Sequence, residues 1–250
     1  MIRIGHRGAS RAKWWSPRVG DNTPHSFARA AAFGAKGIEL DVSRCGSGEL
    51  VVIHDDAVDA KTNGSGTVES LSYQKIRELD CGGSFIPLLG ETFFIFAKQF
   101  DFFNIEIKER DLVPDIVELI RFYGVEGKVC ISCFDADDRA DDGHKALGSK
   151  KRPSWSELLQ VPPTIERALI VGTKKAIRIG REGLIEAAHE FGAKALHVRW
   201  LAVTPGLVEL AHENDLLVRT WIVNYQPTMR LLESFGVDAI MTDVPSLLQP

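Results

Sequence analysis

Gly37-Ile38-Glu39-Leu40-Asp41-Val42 reads as a strand in which aliphatic side chains alternate with two carboxylates. Side chains at i and i+2 of a strand share one face, so Glu39 and Asp41 point the same way. On a half-exposed strand they would form a solvated acidic edge. In a parallel sheet covered on both faces they set two like charges side by side in low dielectric, and they require a compensating cation. Asn104-Ile105-Glu106-Ile107-Lys108 repeats the pattern, with Glu106 and Lys108 on one face and Ile105 and Ile107 on the other.

Outward from this stretch, apolar runs predict further strands at 3–5, 129–133, 167–171, 195–198, 217–223 and 239–241, beside 38–42 and 103–108. Helical patterns fall between them. Thr23 and Pro24 mark an N-cap and first helical position, with Gly34 ending that helix. Further helices are expected at 92–99, 112–123, 182–191, 205–214 and 228–235, with a short one near Leu158. Alternation of this kind argues a parallel sheet. Eight units in 250 residues fit a (β/α)8 TIM barrel, an α/β fold, better than a doubly wound sheet. No strand is followed by a glycine-rich nucleotide fingerprint. Nothing marks a linker, so residues 1–250 are expected to form a single domain. Residues 44–87 depart from the periodicity: a hairpin through Gly46-Ser47-Gly48, then His54-Asp55-Asp56, a turn at Asn63-Gly64-Ser65-Gly66 and a short helix over 72–79. Long excursions of this kind are often functional.

Composition narrows the partners. The apolar fraction of 44% and charged fraction of 26% are those of an ordinary globular protein. A net charge of -4 argues against a nucleic-acid-binding surface. No apolar run approaches the roughly 20 residues that span a membrane, so no integral membrane association is expected. Strand-like sequence starting at Ile2 leaves no room for a signal peptide, and a cytoplasmic location is the expectation. Cys130-Ile-Ser-Cys133 has no second pair at zinc spacing, which makes these two buried strand cysteines.

In a barrel, functional groups collect at the C-terminal strand ends. Those ends carry His6-Arg7, Glu39 and Asp41, Glu106 and Lys108, His197 and Arg199, Trp221 and Asn224, and Asp243. Glu39, Asp41 and Glu106 from adjacent strands converge, and an all-oxygen ligand set suits one hard divalent cation, Mg²⁺ or Ca²⁺. Three carboxylates and such an ion leave one negative charge, which Arg7 and Lys108 reverse. The site would then attract an anion, most naturally a phosphate with Arg7 as its fork. His6 and His54 titrate near neutrality and can serve as general acid and base. Together these parts describe metal-assisted hydrolysis of a phosphodiester.

His6-Arg7-Gly8-Ala9, Asp21-Asn22-Thr23, Gly37 to Val42, Val52-Ile53-His54-Asp55-Asp56 and Thr62-Asn63-Gly64 resemble motifs of the glycerophosphodiester phosphodiesterase family. Ile86 to Glu91, Asn104 to Lys108, Trp221 to Asn224 and Met241 to Pro245 resemble its later ones, in the same order. The resemblance implies a TIM barrel whose residues 44–87 form an inserted subdomain after the second strand. It also implies a small-molecule glycerophosphodiester substrate, cleaved to sn-glycerol 3-phosphate and an alcohol. Carried over, Glu39, Asp41 and Glu106 become the metal ligands and His6 and His54 the catalytic pair. Arg7 and Lys108 contact the phosphate, and Trp221 floors the active site.

Two features depart from the family pattern. Asp21 stands where a glutamate is usual and reaches one methylene less far. Residues 11–20 carry Trp14 and Trp15, which either line a pocket for the alcohol or pack together at the surface. An alternative activity is a lysophospholipase D-like lipid phosphodiesterase, whose apolar groove would need Trp14, Trp15, Phe93, Phe94 and Phe96. Another alternative is a non-catalytic phosphoester-binding barrel, against which every acid, base and ligand position is filled. Lys150-Lys151-Arg152 reads as a solvated basic loop.

Overall fold

The computed structural model describes residues 1–11, 18–138 and 152–248; Trp14, Trp15, Lys150 and Lys151 lie outside them. Eight parallel strands close into a barrel: β1 (Ile2–His6), β2 (Gly37–Arg44), β4 (Phe102–Ile107), β5 (Val129–Phe134), β6 (Glu166–Val171), β7 (Ala195–Arg199), β8 (Leu217–Trp221) and β9 (Ala239–Thr242). Ring closure comes from β1, which pairs with β9 on one side and β2 on the other. A ninth strand, β3 (Leu50–Val52), folds back antiparallel on β2. Helices α1 (Pro24–Ala32), α3 (Leu89–Phe96), α4 (Val113–Tyr123), α5 (Thr173–Glu190), α6 (Pro205–Glu213) and α7 (Gln226–Ser234) link the barrel strands.

Strand parity divides the core in two. Ile38, Leu40, Phe103, Ile105, Leu169 and Val198 point outward and join Phe27, Phe93, Ile116, Leu184, Leu207 and Met229 of the helices. Phe93 meets Phe103 edge-on at 5.6 Å, and Phe100 does the same at 5.9 Å. Inside, Ile4, Phe102, Cys130, Ala168, Ala195, Ala239 and Met241 form a separate layer, small residues against a few large ones. A register row of His6, Glu39, Asn104, Cys130 and Glu166 runs across strands β1, β2, β4, β5 and β6. Asp41, Glu106 and Ser132 form the next row. Cys130 and Cys133 are buried and outside any disulfide, three residues apart and therefore on opposite faces.

Three predicted elements differ in extent. Helix α3 starts at Leu89 rather than residue 92, because the Glu91 carboxylate reaches back to accept from the Leu88 N–H at 3.0 Å. The N-cap position is Leu88, so no serine or threonine marks this start. Helix α5 begins at Thr173 instead of residue 182, and Gly180 (φ 71°, ψ 175°) breaks it into two segments. The helix expected near Leu158 is a 3₁₀ helix, Trp155–Gln160. The aromatics of α3 also separate: Phe93 and Phe96 are buried core, whereas Phe94 is 80% exposed on the outer surface.

Residues 44–87 carry their own cluster, Cys45, Val51, Ile53, Val58, Val68, Ile76, Cys81 and Ile86, around α2 (Tyr73–Arg77). They are tied to the barrel at the root of the hairpin, where Ile53 N–H donates to the Asp41 carbonyl at 2.9 Å and Val52 N–H to that of Pro87.

The start of α1 fixes the loop after β1. Thr23 accepts from the Ser26 N–H while Ser26 Oγ accepts from the Thr23 N–H, a reciprocal cap. Ser26 Oγ also donates to the Arg7 carbonyl at 2.9 Å. Gly8 (φ 86°) passes so close that a Cβ there would sit 2.5 Å from Ser26 Oγ. Replacing Thr23 by Ala removes the cap of a buried helix end. It should lower unfolding free energy by about 1 kcal/mol, read from the shift in urea midpoint at unchanged slope.

Candidate active site

Glu39, Asp41 and Glu106 meet at the C-terminal mouth of the barrel. All three are buried, and one carboxylate oxygen of each lies within 4.8 Å of the others. Register produces this meeting: Asp41 and Glu106 are direct partners across β2 and β4, and Glu39 is the partner of His6.

Two cations stabilise the trio. Arg7 Nε lies 3.1 Å from Asp41 Oδ2, and Lys108 Nζ lies 2.6 Å from Glu106 Oε1 and 3.3 Å from Asp41 Oδ1. Arg7 adopts a left-handed backbone (φ 51°) that turns its N–H onto Glu39 Oε2 at 2.9 Å. Asn22, also left-handed (φ 56°), donates from Nδ2 to Asp41 Oδ2 at 2.8 Å. Asp21 joins the edge of the site, 3.6 Å from Arg7 Nη1 and 2.9 Å from Lys61 Nζ, so it ties the residue 44–87 segment to the β1 loop.

This arrangement separates the carboxyls electrostatically. Burial alone would lift Asp41, but Arg7 and Lys108 outweigh it and hold that carboxyl well below the usual range. Burial and the neighbouring Asp41 push Glu39 up to about 8. The donor set is oxygen only and buried. Those properties fit a hard divalent cation.

The two histidines flank the trio. His6 Nδ1 lies 2.7 Å from Asp243 Oδ1, and its Nε2 is 3.9 Å from Glu39 Oε2. Asp243 is in turn held by Asn224, which donates from Nδ2 at 2.6 Å and accepts the Asp243 N–H at 2.9 Å. Burial and Arg7 work against a proton on His6, yet Glu39 and Asp243 prevail and raise its pKa above the ordinary value. His54 follows β3 directly, which brings it beside Asp41 through the Ile53–Asp41 backbone bond. Its Nδ1 lies 2.6 Å from Asp55 Oδ1, and burial together with Lys108 pushes its pKa down to about 4.

All eight predicted site residues gather at this mouth. His6, Arg7, Glu39, His54, Glu106 and Trp221 line a cleft of about 150 Å³, completed by Asn104, Phe134, Ile170, His197, Arg199, Ile222 and Met241. Asp41 and Lys108 lie directly behind the lining. Trp221 packs edge-on against Phe134 at 5.4 Å and donates from Nε1 to the His197 carbonyl at 2.7 Å. His197 itself is buried below the rim, whereas Arg199 reaches it, 5.7 Å from the Trp221 ring centre. Asn22, Asp55 and Lys61 escaped notice as parts of the site. Asn22 stands inside a quoted motif, but its link to Asp41 requires the left-handed turn that sequence alone does not display.

Comparison with known proteins bears on the same residues. Residues 6–247 match the model of the glycerophosphoryl diester phosphodiesterase family. A glycerophosphodiester phosphodiesterase of Caldanaerobacter subterraneus subsp. tengcongensis is 33% identical, over 98% of this chain and 95% of its own. A glycerophosphodiester phosphodiesterase structure from Agrobacterium tumefaciens superposes with TM-score 0.78 at 23% identity, covering 99% of this chain and 98% of the other. An Oleispira antarctica phosphodiesterase, solved in complex with the product sn-glycerol-3-phosphate, superposes with TM-score 0.80 at 21% identity, over 98% and 94% of the two chains.

The raised Glu39 pKa has a measurable consequence. In cation-free protein at pH 7 Glu39 is largely protonated, and a divalent cation must displace that proton. Calorimetry of Mg²⁺ or Ca²⁺ binding in buffers of different ionisation heat should therefore show release of about one proton. Affinity should weaken as pH falls below about 8. Binding without proton release at pH 7 would contradict this electrostatic picture.

Proposed function

The chain belongs to the glycerophosphoryl diester phosphodiesterase family and is a glycerophosphodiester phosphodiesterase; on that premise we propose that it hydrolyses small glycerophosphodiesters to sn-glycerol 3-phosphate and an alcohol, dependent on one divalent cation and two histidines. The observation that carries this reading is the buried trio of Glu39, Asp41 and Glu106 between two histidines, each oriented through Nδ1 by its own carboxylate. The Oleispira antarctica phosphodiesterase bound to sn-glycerol-3-phosphate supports the choice of product.

Glu39, Asp41 and Glu106 would hold the cation, Mg²⁺ or Ca²⁺, which when bound supplies positive charge to polarise a phosphoryl oxygen. Arg7 and Lys108 are occupied by Asp41 and Glu106 as long as those carboxylates are uncompensated. Once the carboxylate charge is offset, they become the cations that face the phosphate, Arg7 as a fork and Lys108 as a point charge. His6 and His54 flank that position. One takes the proton of the attacking oxygen, either water or the glycerol hydroxyl with water then opening the cyclic phosphate, while the other gives a proton to the departing alcohol. Asp243 and Asp55 hold the rings in orientation, as a carboxylate does for a catalytic imidazole. Trp221 closes the floor against the substrate's carbon skeleton. Residues 44–87 act as an inserted subdomain that delivers His54 and Lys61 to the mouth.

Of the apolar groove that the lipid phosphodiesterase alternative needs, Trp14 and Trp15 lie outside the described residues. Phe93 and Phe96 are core, Phe94 faces outward on α3, and none of the three lines the cleft. Among the described residues no helix is long and apolar enough to cross a membrane.

With glycerophosphocholine, release of glycerol 3-phosphate should stop on chelation and return with Mg²⁺ or Ca²⁺. Glu39→Gln should weaken cation binding. His54→Ala should leave cation affinity within about twofold while lowering kcat by roughly 10²- to 10⁴-fold. Full turnover by the His54→Ala protein would remove His54 from the reaction.

A further inference from the structure

Two polar atoms at the inner end of the cleft are buried without a hydrogen-bond partner among the described residues: His197 Nδ1 and Asn104 Oδ1. Both residues are about 1% exposed and both border the cleft. Parity directs both side chains into the barrel, since Asn104 is the register partner of Glu39, and His197 of Arg219. Asn104, on β4, borders the acidic part of the cleft, and His197, on β7, stands among its apolar lining of Phe134, Ile170, Trp221 and Met241.

The hydrogen-bonding role of His197 is decided by Arg219. Arg219 Nη1 lies 3.3 Å from His197 Nε2 and is anchored on its other side by Glu166. A guanidinium only donates, so Nε2 accepts and the ring proton resides on Nδ1. The cleft floor thus presents an unpaired N–H donor and an unpaired carbonyl acceptor. Buried groups of this kind are costly to leave unmatched. An aliphatic hydroxyl can satisfy either group, because it donates through hydrogen and accepts through oxygen. The glycerol half of the substrate carries two such hydroxyls on adjacent carbons, next to the phosphate that the cations would hold.

We infer that His197 and Asn104 form a hydroxyl-reading floor: His197 Nδ1–H donates to, and Asn104 Oδ1 accepts from, the glycerol moiety, selecting polyol phosphodiesters over plain alkyl ones. The inference rests on the proposed substrate class and assigns its specificity. Both act as specificity-determining residues, and Arg219 with Glu166 acts as a positioning pair that sets the histidine tautomer.

The test compares kcat/KM on glycerophosphocholine with kcat/KM on propylphosphocholine, which lacks both hydroxyls. Wild-type protein should prefer the glycerol compound, since a site built to bond a hydroxyl rejects the analogue without it. The side-chain amide of Asn can put a donor where Nδ1 stands, while that of Gln reaches the Nε2 position and its contact with Arg219. His197→Gln and His197→Phe should therefore lower the preference by about tenfold, and His197→Asn should restore most of it. A role confined to packing around Arg219 predicts the reverse order of Asn and Gln. That order, or a preference absent from wild type or unchanged in every variant, overturns the inference. Asn104→Leu leaves the Arg219 contacts intact and should lower the same ratio; an unchanged ratio overturns its part even if the His197 variants fail to fold. Wild type without turnover of glycerophosphocholine in Mg²⁺ or Ca²⁺ overturns the proposed function instead. Calorimetry with sn-glycerol 3-phosphate against inorganic phosphate then decides the floor, and equal binding by wild type and Asn104→Leu overturns it.

Discussion

Three carboxylates crowded into the mouth of a barrel repel one another, and much of the local structure answers that repulsion. Two unit charges about 4 Å apart repel by about 4 kcal/mol at an effective dielectric near 20. Arg7 and Lys108 offset part of this, and Glu39 keeps a proton for what is left. The compensation reaches far along the chain. Arg7 must adopt a left-handed turn to aim both its N–H and its guanidinium, and that turn is supported by the α1 cap through Ser26. Asn22 is left-handed for the same end, and Asp21 braces Arg7 from outside through Lys61. A site so arranged is close to neutral, and a divalent cation held there would make it attractive to a phosphate.

Much of this was legible in the sequence because strand parity is a local rule. Spacing of two places Glu39 with Asp41 and Glu106 with Lys108, and apolar alternation makes the strands interior to an α/β protein. The (β/α)8 barrel follows from counting units, and the structure closes it through β1. What stayed hidden depends on contacts across long separations. His6 and Asp243 are 237 residues apart, and only ring closure makes them neighbours. Asp243 stood at a strand end, yet whether it orients a histidine or caps a helix is a matter of register. The boundaries of α3 and α5 were hidden for a different reason. One helix is capped by a glutamate acting backwards along the chain, and the other is a pair joined at a glycine.

The barrel interior divides labour. Its apolar layer sets Ala168, Ala195 and Ala239 against Ile4, Phe102, Cys130 and Met241. Beside that layer, part-exposed Glu166 at the start of β6 pairs with buried Arg219, which lies over the Phe102 ring and contacts buried His197. Such an ion pair is weak evidence of added stability. Here it fixes orientation instead, because each donor along the chain dictates the role of the next acceptor.

The β2–β3 hairpin separates what must be inherited unchanged from what is free to diverge. Register of Glu39 and Asp41 is set by β1 and β4 on either side, and His54 is pinned at the hairpin root by the Ile53–Asp41 bond. Beyond that root, the segment packs around its own apolar cluster. Its length and rim chemistry can therefore drift through insertion or exchange without moving a carboxylate. A frame of this kind would absorb change in the outer segment while the strand register keeps Glu39, Asp41 and Glu106 together.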